Sequence, residues 1–226
     1  MGVLTALMER RSGTSTLSNP ASWLVDALGG RPTPSGITVT DQVALDHTGV
    51  LCASRNLAEG VAMLPLHTYR RLGPGKGRER ATDHSVSRKL RVEPNPEMTS
   101  FSLREWQMYS LLFHGDAYVE KEMTRGGEVK NLWPLRGDKM RVTRDERKKG
   151  KPLVYKYSVP NGGTVPLRPH QVWHIRGPYR QGLTGLSLVK LGRRAIGLGV
   201  AMEEYASRLF SNGAMPGGII THPDPL

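Results

Sequence analysis

The sequence predicts an α+β fold in which helices pack on an antiparallel β meander and a long C-terminal amphipathic helix follows. Three patterns carry this. Apolar residues recur at helical spacing in two stretches of the first half. Alternation broken by glycine-rich turns fills the next third. Spacings of three and four then return and persist for about six turns.

Residues 1–40 read as a flexible arm or linker. Met1–Arg11 suits a short helix, but Ser12–Ser18 is polar and Gly29–Gly36 holds three Gly and two Pro. The first firm helix is expected from about Asp46 to Ala62, with the Asp46 carboxylate capping the free N–H groups of its first turn. Val50, Leu51, Leu57, Ala58 and Val61 share one face, which is expected to be buried. Pro65 ends the helical run, Leu66–Arg71 alternates as a strand, and Leu72–Arg80 is a basic, glycine-rich loop. Asp83–Val92 reads as a short helix and Glu93-Pro94-Asn95-Pro96 as a rigid turn. A second helix is expected over Thr99–His114, capped by Thr99 or Ser100, with Leu103, Trp106, Met108, Leu111 and Leu112 inward. Gly115 is placed to end it in the left-handed conformation.

From there the period is two. Ala117–Met123, Val129–Leu135, Met140–Arg144, Leu153–Val159, Thr164–Leu167 and Val172–Ile175 read as strands. Arg125-Gly126-Gly127-Glu128 and Asn161-Gly162-Gly163 are hairpin signals between them. The last helix opens at Ser187 as N-cap and carries Leu188, Leu191, Ala195, Leu198, Met202, Tyr205 and Leu209, a stripe expected to pack on the sheet. Glu204 and Arg208 are spaced for an ion pair, and Asn212-Gly213 ends the helix. Residues 217–221 suit one more strand and 222–226 a loop. The expected division is therefore an arm (1–40), one α+β domain (41–221) and a truncated loop (222–226).

The chain has 226 residues, enough to bury a core, and its 38% hydrophobic content with only 6% aromatics makes that core aliphatic. The lone cysteine, Cys52, excludes an internal disulfide and is expected to be a buried thiol. No apolar run is long enough to span a bilayer, and the N-terminus lacks the pattern of a secretory signal. A net charge of +12 favours polyanions. The basic candidates for phosphate contact are Arg144, Arg147, Lys148, Lys149 and Lys151 between two strands, and Arg193 and Arg194 on the last helix; a solvated hairpin tip is the plainer reading of the first group. No interleaved aromatics support stacking of single strands.

Enzymatic constellations do not assemble in the sequence. Gly75-Lys76 lacks the following Ser or Thr and the opening Gly of a phosphate loop. Gly185-Leu186-Ser187-Leu188-Val189 lacks the closing Gly of a nucleophile elbow, so Ser187 is better read as a helix cap. His170 and His174 fall along a strand, where four residues span about 13 Å, too far for one metal. The acidic doublets Asp145-Glu146 and Glu203-Glu204 sit among Arg and Lys, unlike a two-metal nuclease. The expectation is a protein with no catalytic residue, metal or cofactor.

An ordered string of motifs remains. It runs through Ala62-Met63-Leu64-Pro65-Leu66-His67-Thr68-Tyr69-Arg70-Arg71, Pro94-Asn95-Pro96-Glu97-Met98-Thr99, Gly115-Asp116-Ala117-Tyr118 and Leu132-Trp133-Pro134-Leu135. It continues through Val172-Trp173-His174-Ile175-Arg176-Gly177, Gly182-Leu183-Thr184-Gly185-Leu186-Ser187, and Glu204-Tyr205-Ala206 to Phe210-Ser211-Asn212-Gly213-Ala214. Together, over residues 40–221, these resemble the portal protein family of long-tailed double-stranded-DNA bacteriophages. The resemblance implies a structural subunit of a ring, usually dodecameric, at one capsid vertex. The large terminase motor and the head–tail adaptor dock on such a ring, and double-stranded DNA passes through it without sequence readout. It further implies the outer wing of the subunit, a place in the virion after assembly in the host cytoplasm, and no membrane. Asp116 departs from the Asn common at that point of the family pattern. The family's stem and clip segments are not reached, so an N-terminal piece of a subunit is expected. The alternative reading is a basic module that binds nucleic acid without sequence preference.

Overall fold

The alternating middle of the chain folds into two three-stranded antiparallel sheets. The computed structural model describes residues 33–159, 162–178 and 182–213. The expected helix at Met1–Arg11, most of the arm, Asn161 of one hairpin signal, the strand at 217–221 and the loop at 222–226 lie outside the described residues. These residues form two compact units, one of residues 48–192 and one of residues 33–47 with 193–213.

In the larger unit, β1 (Tyr69–Arg71) and β2 (Arg78–Arg80) make a small exposed hairpin. The first main sheet contains β3 (Asp116–Met123), β4 (Val129–Leu135) and β8 (Val172–Arg176), ordered β4-β3-β8. The second contains β5 (Met140–Arg144), β6 (Leu153–Ser158) and β7 (Thr164–Leu167), ordered β5-β6-β7. The strands thus do not run on as one meander. β8 returns to pair with β3, Tyr118 opposite His174 and Val119 opposite Trp173. Pro134 and Pro166 sit on strands that pair on one side only, where a missing N–H costs no ladder bond.

The central strand β3 is covered on both faces, and its alternation sorts the core. Tyr118 points into a cluster with Leu135, Tyr155, Leu167 and Val172, which joins the two sheets. Val119 points the other way, to Leu103 and Leu132, with Trp106 and Leu90 packed alongside. Leu90 comes from α3 (Ser85–Arg91), Leu103 and Trp106 from α4 (Ser100–His114), and Leu132 from β4. Thr99 caps α4, its hydroxyl accepting the Ser102 N–H at 3.1 Å, and Gly115 ends it at φ 88° as expected. The Pro94-Asn95-Pro96 turn is pinned to β4: the wholly buried Asn95 donates to the Leu132 carbonyl at 2.7 Å, and the Leu132 N–H donates to the Pro94 carbonyl at 2.9 Å.

Further expectations are corrected. The first helix is broken into α1 (Asp41–Asp46) and α2 (Thr48–Ala62), so Asp46 closes a helix and does not cap one; Thr40 is the cap, accepting the Val43 N–H. α2 buries Ser54, Ala58 and Ala62, while Leu51, Leu57 and Val61 are exposed. Small residues let α2 lie close on α4, and that approach outcompetes the larger side chains one step around the helix. Cys52, on the same helix, is exposed and not buried.

The last correction concerns α5 (Leu188–Ser211). Its apolar stripe faces solvent: Leu191 is 61% exposed, Leu198 56%, Met202 63% and Tyr205 71%. Glycines make the inward contacts. In the smaller unit Thr33 lies against Gly197 and His47 against Gly199, so closely that a Cβ at either glycine would collide. Glu204 and Arg208 pair at 3.6 Å. No helix among the described residues is long and apolar enough to cross a membrane.

Candidate functional site

The larger unit is organised around one buried carboxylate. Asp116 opens β3 directly after Gly115 and is 2% exposed. Its Oδ2 accepts the Gly185 N–H at 2.7 Å and the Tyr118 hydroxyl at 3.1 Å. Its Oδ1 lies 3.2 Å from His174 Nε2, an ion-pair approach in which the ring N–H is not aligned as a hydrogen bond. The Tyr155 hydroxyl lies 3.3 Å from His174 Nδ1 on the other side of the ring. Tyr118 stacks on His174 with centroids 4.5 Å apart, and Tyr155 meets both rings edge-on.

Burial pulls the Asp116 carboxyl upward, but His174, the Gly185 N–H and the Tyr118 hydroxyl outweigh it and hold the group below its ordinary value. Burial and the neighbouring Asp116 charge push the Tyr118 phenol well above its own. The carboxylate is thereby held below its ordinary range in the interior by two donors, the Tyr118 hydroxyl of β3 and the Gly185 N–H of a distant loop, and by the approach of His174 on β8.

Three glycines allow that meeting. The Gly177 N–H donates to the Gly115 carbonyl at 3.0 Å. A Cβ at Gly177 or Gly185 would run into that carbonyl, and one at Gly115 would lie 2.6 Å from the Gly185 carbonyl oxygen. The Leu186 N–H donates to Pro178 at 2.7 Å, and Ser187 then caps α5 by accepting the Lys190 N–H at 3.1 Å. Motif pieces around Gly115, Gly177 and Gly185, far apart in sequence, thus form one backbone crossing locked by Asp116.

Chemically the arrangement is a clamp. A cleft of about 340 Å³ is lined by His114, Asp116, Met140, Thr184 and Lys190 among others. The Ser187 hydroxyl is used as the cap and as a donor to the Leu112 carbonyl at 3.5 Å. Among the described residues no three His, Cys, Asp or Glu side chains gather where they would hold a metal ion.

The basic candidates divide. Arg144, Arg147, Lys148, Lys149 and Lys151 are exposed together at the tip of the β5–β6 hairpin. Arg144 donates to the Lys151 carbonyl at 3.2 Å, and Lys148 lies 3.8 Å from Asp145. Lys151 follows Gly150 in the left-handed region at φ 43°. Arg193 and Arg194 are exposed on α5 and belong to the smaller unit. The clamp is not marked by any local motif. The sequence offers His174 as a metal-ligand candidate and Asp116 as a motif variant without joining them; the one local signal is a charged residue immediately after a left-handed glycine, leading into an apolar strand.

The family profile described as phage portal protein matches residues 49–226, from the start of α2 through all three glycine motifs. The chain belongs to the phage portal protein family. It is 30% identical to the portal protein of Enterobacteria phage HK97 over 153 residues, which are 68% of this chain and 35% of that one. It is 31% identical to the probable portal protein of Streptomyces phage phiC31 over 201 residues, 85% of this chain and 42% of that one. This portal family chain therefore spans about two fifths or less of those relatives. Among solved structures, a chain from the neck of an empty GTA particle, computed with C6 symmetry, superposes with a TM-score of 0.63. Its identity is 22%, covering 88% of this chain and 53% of that one, a likeness of fold.

Proposed function

We propose that this chain is part of a structural subunit of the phage portal ring, the homo-oligomeric and usually dodecameric assembly at one capsid vertex. In this reading double-stranded DNA is packaged and ejected through the ring, and the large terminase motor, capsid and head–tail adaptor proteins dock on it. Residues 41–221 form its wing-like domain and residues 1–40 an arm. The observation that carries the reading is the family match over residues 49–226, which contains the whole Asp116 clamp. A clamp that fixes a backbone crossing suits a load-bearing subunit, where function lies in rigid faces and not in a reacting group. An exposed apolar ridge at Leu57, Val61, Met63, Leu64 and Leu66 supplies a face for contact between copies. No enzymatic activity enters this reading, and its place is the virion after assembly in the host cytoplasm.

The test is negative-stain imaging and mass measurement of the complete product of the gene that carries this sequence. Rings of uniform subunit number are expected, and Leu57→Asp with Val61→Asp should prevent them while the monomer stays folded. Monomers at every salt concentration overturn the proposal.

A second reading, a basic module that binds nucleic acid without sequence preference, is supported by the five cations gathered on the β5–β6 tip, with Arg193 and Arg194 as further candidates. It predicts DNA binding whose log affinity falls linearly with log salt. Reversal of Lys148, Lys149 and Lys151 to Glu should lower that slope by about three contacts' worth. An unchanged slope removes this reading.

A further inference from the structure

Half of the chain's charge lies in one short stretch. Residues 67–91 hold eight Lys and Arg against two acidic residues, a net +6 of the total +12. Both acids in that stretch are taken by one arginine: Arg70 donates to Asp83 at 2.8 Å and to Glu79 at 3.4 Å. Among the described residues Arg71, Lys76, Arg78 and Arg80 have no acidic partner.

The ribbon of β1 and β2 sorts these charges by face. Tyr69 stands opposite Arg80, Arg70 opposite Glu79 and Arg71 opposite Arg78. Residues directly opposite share a face, and neighbours along a strand alternate between faces. One face therefore carries the neutralised Arg70–Glu79 pair, and the other carries Tyr69, Arg71, Arg78 and Arg80. All six residues of the two strands are exposed. The ladder continues beyond them, from the Ala81 N–H on the Thr68 carbonyl at 3.0 Å to the Leu72 N–H on the Gly77 carbonyl at 3.2 Å. At the foot of the ribbon, burial and then the charges of Arg80 and Arg91 hold His67 below its ordinary value, which sets Arg91, the last residue of α3, beside the same patch. Arg71 and Arg78 repel each other across the ladder, and a two-stranded ribbon with no packed face has little stability to spare. An anion held between the guanidiniums removes that repulsion.

We propose that the β1–β2 ribbon is a binding surface for B-form DNA, with Arg71, Arg78 and Arg80 on its phosphates and Tyr69 beside them. Shape selects among polyanions. A two-stranded ribbon fits the major groove of B-form DNA, about 12 Å wide, whereas the major groove of an RNA duplex is too narrow for it. The tip is slim: Gly73, Gly75 and Gly77 leave Pro74 and Lys76 as its side chains, and the space around the three glycines is open. One aromatic ring makes no stacking platform for a single strand. The β5–β6 tip lacks this arrangement, since Arg144 there donates to the Lys151 carbonyl and Lys148 lies near Asp145. Contacts to phosphates carry no sequence preference, so the surface holds duplex of any sequence.

The experiment uses the full chain and a short labelled DNA duplex, with anisotropy read from about 50 to 200 mM salt. Arg71→Gln with Arg78→Gln and Arg80→Gln should lower the slope of log affinity against log salt by about 2.7, three contacts at about 0.9 each. Lysine at the same three positions keeps the charge and should keep the slope. Arg70→Gln, on the opposite face of the same ribbon, should leave it unchanged. The Gln triple should melt no lower than the parent, because it removes opposed charges and no packing. An unchanged slope in the Gln triple overturns the proposal, as does an equal drop in Arg70→Gln or the absence of binding at the lowest salt. An RNA duplex bound as tightly as DNA overturns the fit to the groove. Polyglutamate that displaces the duplex as well as unlabelled DNA does, at equal charge, gives the ribbon to an acidic protein and also overturns it. Subunit number plays no part in the readout, so failure here is separable from failure of the portal reading.

Discussion

His174 Nε2 stands 3.2 Å from Asp116 Oδ1 with both side chains almost wholly buried, and Tyr118 lies stacked against the imidazole. Removing the Asp116 carboxylate leaves the Gly185 N–H and the Tyr118 hydroxyl without their acceptor in the interior. Asp116→Ala should cost about 3 kcal/mol, measured as a shift in the urea midpoint at neutral pH. Asp116→Asn keeps an oxygen for the Gly185 N–H and should lose less.

The same carboxylate sets an acid limit. The Asp116 pKa is lower in the folded chain than the unfolded value of about 3.9. Its contribution is therefore complete above about pH 4 and is lost as acid carries the group through its lower folded value. Stability measured between pH 5 and pH 2 should fall less steeply in Asp116→Asn than in the parent. It should not become flat. Glu122 is held at about 2 by hydrogen bonds from Trp133, Lys130 and Asn131, and it titrates in the same direction. An unchanged slope in the Asn variant would show that Asp116 is not the group being protonated.

Gly115→Ala tests the backbone crossing. The φ of 88° is costly for an L side chain, and the new Cβ meets the Gly185 carbonyl, which belongs to backbone and cannot rotate away. Strain of about 1–2 kcal/mol from the left-handed conformation alone, with the collision added, should lower the midpoint by more than Ala substitution at Gly127, which is also left-handed but has open space.

α2 supplies a paired test of which face is inside. Ala58→Leu should cost about 2 kcal/mol, because a wholly buried position facing α4 has no room for the added volume. Leu57→Ser, one residue earlier and mostly exposed, should stay within about 0.5 kcal/mol of the parent. The reverse order would restore the face that hydrophobicity alone selects.

That contrast locates what was legible in the sequence. Strand and helix periods are local, and the ends of β4, β5 and β7 fall where alternation and turn residues put them. Gly115 ends α4 and Ser187 caps α5 because each acts within one turn of itself. Which face of a helix is buried depends on the partner surface. On α2 and α5 the partner selects Ser54, Ala58, Gly197 and Gly199, residues that carry little hydrophobic signal, and leaves Leu57 and Met202 outside. The Asp116 clamp was equally out of reach, since it joins residues 116, 174 and 185 through a strand pairing that no local pattern specifies.

Ser187 separates a cap from a nucleophile. Its hydroxyl accepts the Lys190 N–H at 3.1 Å in the first turn of α5, and it is 5% exposed. An Ala there leaves a helix N–H without its acceptor and should cost about 1 kcal/mol. Ser187→Thr keeps an acceptor oxygen in place and should recover most of that loss, as should Ser187→Asp, whose charge also suits a helix N-terminus. A nucleophile would give the opposite pattern, since neither Thr nor Asp reproduces a primary hydroxyl in a reacting geometry. Midpoints for the three variants, read beside any ester-hydrolysing activity of the parent, distinguish the two roles. Recovery of stability by Asp without any loss of turnover assigns the residue to the helix.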